Sequence, residues 1–454
     1  MKKKRKISSA YLIPGSFMLT ILLGALALML PVCSASGEFT DPITALFTAT
    51  TSVCVTGLVV VDTYSYWSVF GQAVILFLIQ IGGLGIITVT SALMMISRRK
   101  FALGDRMMLR DALNLNSSRG IVRFLTRIIT GTFLVEFLGA VFYAFRFIPE
   151  HGPVKGTWMS VFTAVSAFCN AGLDIIGPSS LEGYRTDPLV IIVTMTLIIL
   201  GGLGYVVWFD IQQKTADGYF KKYSAGQIWS RFSEHTKLVL CLTAGLILTG
   251  TALVFATEHS NPETIGNMST GYKLLNSLFE SVTFRTAGFA TFPQKALNES
   301  SCITAFVWMF IGGSPVGTAG GVKTVTFFLV MMNIIYYIQG RQPKVFRKTI
   351  SEEMMRKATA IVAVSLSTVM VLTLLLLATN PVSLTDGLFE VVSGCATVGL
   401  TRGLTPHLNT AGRLIIILSM YLGRIGPISM AVMFVKLGHN ENINKYTEGN
   451  FFVG

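Results

Sequence analysis

Charge is scarce in this sequence. Asp, Glu, Lys and Arg make up 13% of its 454 residues, against 52% hydrophobic residues and a mean hydropathy of +0.62. A water-soluble domain carries roughly a quarter charged residues, so the solvent that fits is a lipid bilayer. Histidine is rarer still, with five copies in no metal-ligand spacing. The six cysteines, at 33, 54, 169, 241, 302 and 395, form no C-x-x-C pair. That argues against a zinc site or a disulfide framework and leaves them as small buried side chains. Phosphate-binding loops are missing too. In Gly321-Val322-Lys323-Thr324 a valine stands where a nucleotide loop needs glycine, and no G-x-G-x-x-G follows a strand. Enzyme chemistry is not expected.

Acidic residues are the scarcer sign, 23 against 36 basic, and the net charge of +13 could suggest nucleic acid. Its distribution says otherwise. Most of the basic residues fall in Lys2-Lys3-Lys4-Arg5-Lys6, around Arg98-Arg99-Lys100, in the linkers near 214–235 and 339–357, and in the tail. This is the positive-inside pattern, which places both termini and those linkers in the cytoplasm, and a nucleic-acid partner is not needed to explain it.

The apolar runs Tyr11 to Cys33 and Ala358 to Thr379 are long enough to cross a hydrocarbon core, which takes about 20 helical residues. The first is too long for a cleavable signal and reads as a retained helix. Self-similarity organises the rest. A glycine segment recurs four times: Cys54-Val55-Thr56-Gly57-Leu58, Cys169-Asn170-Ala171-Gly172-Leu173, Arg285-Thr286-Ala287-Gly288-Phe289 and Ala396-Thr397-Val398-Gly399-Leu400. The glycines are 115, 116 and 111 residues apart, each preceded by a similarly placed phenylalanine (Phe47, Phe162, Phe279, Phe389). A second marker follows each by 24 to 29 residues: Gly82-Gly83-Leu84-Gly85, Gly201-Gly202-Leu203-Gly204, Gly312-Gly313-Ser314 and Gly423-Arg424-Ile425-Gly426. Two markers keeping one period define a fourfold repeat.

Each unit reads as a long helix, a short helix with its glycine segment, and a second long helix. The first long helices are expected near 11–33, 124–148, 236–257 and 358–379, the short ones near 41–52, 156–168, 271–283 and 384–394, and the second long ones near 66–97, 186–213, 303–338 and 410–436. The expected fold is an all-α polytopic membrane protein, with eight transmembrane helices around a pseudo-fourfold central pore. The repeats cover 1–97, 98–213, 214–338 and 339–454, the last with a cytoplasmic tail. A short helix that enters the membrane must hand over to non-helical backbone, which is tolerated only inside protein or along a water-filled cavity. Four such segments around an axis can turn their carbonyls inward and replace the hydration shell of a cation. Glycine supplies the backbone angles this needs, and the short helices aim their partially negative C-terminal ends at the cavity. The candidate ion-binding residues are Val55, Thr56, Gly57, Asn170, Ala171, Gly172, Thr286, Ala287, Gly288, Thr397, Val398 and Gly399. Thr397-Val398-Gly399 matches the opening of the potassium-channel filter, with one glycine per copy instead of two.

These segments, with Gly312-Gly313-Ser314-Pro315-Val316-Gly317-Thr318-Ala319-Gly320-Gly321-Val322-Lys323-Thr324 and Gly423-Arg424-Ile425-Gly426-Pro427, resemble the Trk/Ktr/HKT superfamily of potassium transporters over essentially the whole chain. The start of the first repeat near residue 11 and the tail Gly449-Asn450-Phe451-Phe452-Val453-Gly454 make the Ktr pore-forming subunit the most similar subtype. The resemblance implies potassium uptake across the plasma membrane, a homodimer of pore subunits, and a cytosolic nucleotide-binding RCK-type ring on the basic inner loops. Sodium dependence stays open, and no organic cofactor is implied.

Five glycines and a proline between 312 and 321 should break a transmembrane helix. Freed backbone under the filter can act as a gate, as the resemblance also implies; close helix packing is the alternative, though it does not need Pro315. The gate candidates are Gly312, Gly313, Ser314, Pro315, Gly317, Thr318, Gly320, Gly321, Lys323 and Arg424. Intramembrane charges are costly. Arg424 is expected to hydrogen-bond the loop, Lys323 to do likewise or to snorkel, Glu136 to have a structural partner, and Arg285 to brace the third segment with Glu280 or Glu390. The competing function is a gradient-driven carrier for another small solute, whose repeats are typically inverted or paired.

Overall fold

The structure, a computed structural model, describes residues 9–86, 88, 89, 91, 120–346 and 348–426. The basic runs at 2–6 and 98–100, residues 92–97 of the first repeat's second helix, and the stretch 427–454 with its tail motif lie outside the described residues.

All four units have the expected order. The first long helices are Ser9–Leu28, Ile121–His151, Glu234–Glu258 and Glu352–Thr379. The short helices are Pro42–Cys54, Pro153–Cys169, Thr270–Thr283 and Leu384–Ala396. Helix starts follow local chemistry. Asp41 accepts from the backbone N–H of Ile43 and Thr44 with Pro42 at the first turn, and Ser383 accepts from Asp386 N–H. Phe47, Phe162, Phe279 and Phe389 are all fully buried, so the phenylalanine marker is the core contact of each short helix. The outer faces of the long helices carry exposed Leu19, Leu26, Phe137 and Leu374, apolar surface that lipid solvates.

The second crossing departs from expectation in repeats 1, 2 and 4, where a glycine ends the helix early, while the third repeat has the expected break at 312–321. Three helices, all first helices of their repeats, are long and apolar enough to span alone among the described residues. The second helices are Val69–Leu84, Pro188–Leu203, Glu299–Phe310 and Thr410–Ile425. They stop at Gly85, Gly204, Ile311 and Gly426, and the three glycines have φ of 83°, 88° and 86°. Only glycine holds such angles cheaply, so the second marker is a built-in break in three repeats and a full loop in the third. After Gly204 the chain resumes as Tyr205–Phe220, bent by 98° from the preceding helix. The continuous helix expected over 186–213 is therefore two helices. After the third break the chain resumes as Thr324–Ile338.

The first glycines of the marker have a different task. A Cβ on Gly82, Gly201 or Gly423 would strike the carbonyl oxygen of Val53, Phe168 or Cys395, the residue four before the ring glycine in its own repeat. In these three repeats the second helix thus lies directly on the C-terminal end of the short helix, whereas Gly312 of the third lies against Gly320 of the loop.

Candidate functional site

The four recurring glycines form a closed ring. A Cβ added to Gly57 would lie 2.7 Å from the carbonyl oxygen of Ala171, one on Gly172 2.7 Å from that of Ala287, and one on Gly288 2.7 Å from that of Val398. On Gly399 it would press on the carbonyl of Thr56, which completes the circle in chain order. Two residues before each glycine the backbone is left-handed: Val55, Asn170, Thr286 and Thr397 have φ of 55°, 58°, 76° and 51°. The glycines are positive as well, with the intervening residue negative. Alternating signs of φ send successive carbonyls to the same side, which is what an inward-facing ladder of oxygens requires. A left-handed valine and threonine are costly, and such strain persists where the surroundings over-determine it.

In three repeats the short helix ends in a Schellman motif. Val55 N–H donates to Ser52 and Thr56 N–H to Thr51; Asn170 and Ala171 repeat this on Ala167 and Ser166, and Thr397 and Val398 on Gly394 and Ser393. The third repeat differs, with Ala287 N–H bonded to Thr283 one residue nearer. That is the copy carrying Arg285. Hydroxyls brace the ring from behind: Gly57 N–H donates to Thr51 Oγ1 (2.9 Å) and Gly399 N–H to Ser393 Oγ (3.0 Å). Sequence reasoning missed Thr51 and Ser393. A signal was present, since a hydroxyl stands six residues before the glycine in repeats 1, 2 and 4 (Ser166 in the second). The third has Val282 there, and Thr283 Oγ1 bonds the Phe289 carbonyl instead (2.6 Å).

The broken segment of repeat 3 passes under this ring. Its neck is pinched shut: Gly312 N–H donates to Val322 O (3.0 Å) and Val322 N–H to Phe310 O (3.2 Å). Its body leans on the break in repeat 2, with Ser314 N–H on Gly202 O (2.9 Å), Thr318 N–H on Gly201 O (3.1 Å) and Tyr205 N–H on Val316 O (3.0 Å). Thr318 Oγ1 accepts from Asn170 Nδ2 (2.8 Å) and donates to Phe168 O (3.1 Å). Gly320 lies against the buried hydroxyl of Thr397, where a Cβ would not fit. Two ring segments, the second and the fourth, are thus touched directly by the loop.

Arg424 spans three repeats. From repeat 4 it donates to the Thr318 carbonyl of the loop (2.6 Å) and to the Gly82 carbonyl of repeat 1. Lys323 does not snorkel: its Nζ folds back onto Ala319 O (2.6 Å) and closes the loop on itself. The two carbonyls that Arg424 bridges are held by two different nitrogens of one rigid fork, Nη1 and Nη2, a geometry that the single nitrogen of a lysine does not reproduce. Arg424→Lys is therefore expected to raise resting cation flux several-fold in proteoliposomes at matched protein; an unchanged rate would show that the bridge does not restrain the loop.

Glu136 finds an amide, not a cation: Gln80 Nε2 donates to both its oxygens (3.1 and 3.2 Å), tying repeat 1 to repeat 2. The expected pairing of Arg285 is not formed among the described residues. Glu390 instead accepts from Thr401 (2.9 Å) and Thr405 of its own outer loop, while Arg285 Nε and both oxygens of Glu280 are buried without a hydrogen-bond partner. Above the ring opens a cavity of about 350 Å³ floored by Gly57, Gly172, Gly288 and Gly399, with Asp62, Asp174, Glu182, Lys295 and Arg402 in its walls. Arg402 is neutralised by Asp386 at 2.7 Å.

Residues 11–446 match the TrkH family, described as cation transport protein. The chain is 37% identical to the potassium/sodium uptake protein NtpJ of Enterococcus hirae, over 100% of this chain and 99% of that one. It is 38% identical to Ktr system potassium uptake protein B of Bacillus subtilis, over 96% and 95%. Among solved structures, the potassium transporter TrkH from Vibrio parahaemolyticus superposes with a TM-score of 0.72, covering 95% of this chain and 86% of that one at 16% identity, a likeness of fold.

Proposed function

Because the chain belongs to the TrkH/Ktr family of cation transport proteins, membrane proteins and not enzymes, we propose that it takes up potassium through the ring of Gly57, Gly172, Gly288 and Gly399. The observation that carries this reading is the closed ring itself. Four backbone segments with alternating φ meet at one axis, and the loop 312–321 packs against the second and fourth of them. The ligands offered to the ion are carbonyls of the candidate filter residues in all four segments, joined by the buried hydroxyls of Thr56, Thr286 and Thr397, which have no hydrogen-bond partner. A hard monovalent cation suits an all-oxygen set with no side-chain charge in it.

Arg424, Lys323 and the loop glycines form the gate in this proposal, with the repeats bounded at 1–97, 98–213, 214–338 and 339–454. The protein works in the plasma membrane with both termini cytoplasmic, as a homodimer, and a cytosolic nucleotide-binding RCK-type ring on the basic linkers supplies regulation. Sodium enters as a coupling or activating ion, in line with the potassium/sodium name of one relative. Uptake of potassium, rubidium and sodium into proteoliposomes tests the core of the reading. Potassium and rubidium are expected to enter well ahead of sodium, insensitive to organic solutes; equal rates for all three ions would overturn it.

A further inference from the structure

We propose that Asp174 forms a cation-recruiting site in the outer mouth, which takes a hydrated monovalent cation before it enters the glycine ring. The proposal rests on the pore reading above and adds a site outside the ring. Asp174 stands two residues beyond Gly172 and lines the cavity whose floor is the four ring glycines. Its counterparts in the other repeats, Val59, Ala290 and Thr401, are uncharged, so the second repeat alone places a carboxylate in the first layer above the ring.

The side chain is 9% exposed and is held in place, its Oδ1 accepting from Ile176 N–H at 3.2 Å. A charge fixed at the narrow end of a low-dielectric funnel concentrates counter-ions far better than one on an open surface. The other charged wall residues stand three to ten positions beyond their ring glycines, and Asp174 only two. Asp62, from the first repeat's loop, is committed to capping, taking Ser65 N–H (2.9 Å) and Ser65 Oγ (2.6 Å). Glu182 is in the second repeat's loop, Lys295 comes from the third, and Arg402, from the fourth, is paired with Asp386.

Burial is the main cause that pushes the Asp174 carboxyl up to about 6; hydrogen bonds from Ser180 and Ile176 oppose it and the charge of Asp62 adds to it. Above that pH the group is ionised and the site is charged. As the outside pH falls through about 6 it takes up a proton and the attraction is lost.

The test is rubidium uptake into proteoliposomes at low ionic strength, varying rubidium outside. Asp174→Asn is expected to raise the half-saturating concentration about three- to tenfold at about pH 7.5, with Asp174→Glu restoring most of it. Lowering the outside pH to about 5 should produce a similar rise in the parent and none in Asp174→Asn. An Asp174→Asn half-saturation within about twofold of the parent overturns the proposal. Should that variant not fold, a parent half-saturation that is flat between the two pH values overturns it equally. The potassium-to-sodium ratio reports separately on the ring: a parent that carries both ions alike defeats the filter reading, while the half-saturation shift still judges Asp174.

Discussion

Replacing Gly57 by serine is expected to cost at least tenfold in potassium-over-sodium discrimination, about 1.4 kcal/mol between the two ions. The reason is geometric. Gly57 sits at φ 103°, and a Cβ there would lie 2.7 Å from the Ala171 carbonyl and 3.2 Å from the Cα of Gly399. Neither neighbour is a flexible side chain that can swing away; both are ring backbone. The segment has to retreat, the carbonyl spacing changes, and the replacement of a hydration shell by fixed oxygens loses its match to one ion. Gly399→Ser should behave alike, since its Cβ would press on the Thr56 carbonyl and lie 2.8 Å from the Cα of Gly57. Gly152→Ser is the control. It has a comparable φ of 81° but open space around it, so it should cost stability without touching selectivity. The measurement is the potassium-to-sodium flux ratio of monodisperse protein in liposomes. Unchanged ratios in both ring variants would sink the filter assignment.

Deleting residues 313–320 is expected to raise resting flux at least tenfold. The deletion is one the structure can accept. Gly312 and Gly321 already touch across the pinched neck, where a Cβ on Gly312 would lie 3.0 Å from the Cα of Gly321. Val322 is hydrogen-bonded to both Phe310 and Gly312 there, so rejoining the ends spares both flanking helices. What disappears is the backbone that crosses under the ring, together with the Thr318 carbonyl that Arg424 holds. The effect should exceed that of Arg424→Lys, which loosens the loop but leaves it in the path. A folded, inserted deletion variant with normal closure would refute the gate.

Several parts of this site were legible in the chain. The period, the ring glycines, the short helices and the interruption at 312–321 all depend on local requirements: an apolar length, a positive φ, a density of glycine and proline. The breaks at Gly85, Gly204 and Gly426 were less legible, although the same marker carried them. Two or three glycines in an apolar run also suit close packing, and the structure uses them for both, with Gly82, Gly201 and Gly423 packing and the later glycines breaking. Arg285 was expected to brace the third segment with Glu280 or Glu390, yet Glu390 is taken by Thr401 and Thr405 of its own loop.

By itself, then, the sequence determined that four similar units cross a bilayer and that each contributes one glycine to a shared axis. Those properties are encoded within a few residues, where backbone angle and apolar length are set. Tertiary structure alone decided how the units differ in use. It put the loop of the third repeat against the second and fourth, gave Glu136 an amide partner 56 residues away, and brought Arg424 to a carbonyl 342 residues away. Backbone carbonyls are chemically the same at every position, so no residue type announces which of them a distant arginine will hold. Only packing selects Thr318 and Gly82, and that choice sets a single loop against a fourfold ring.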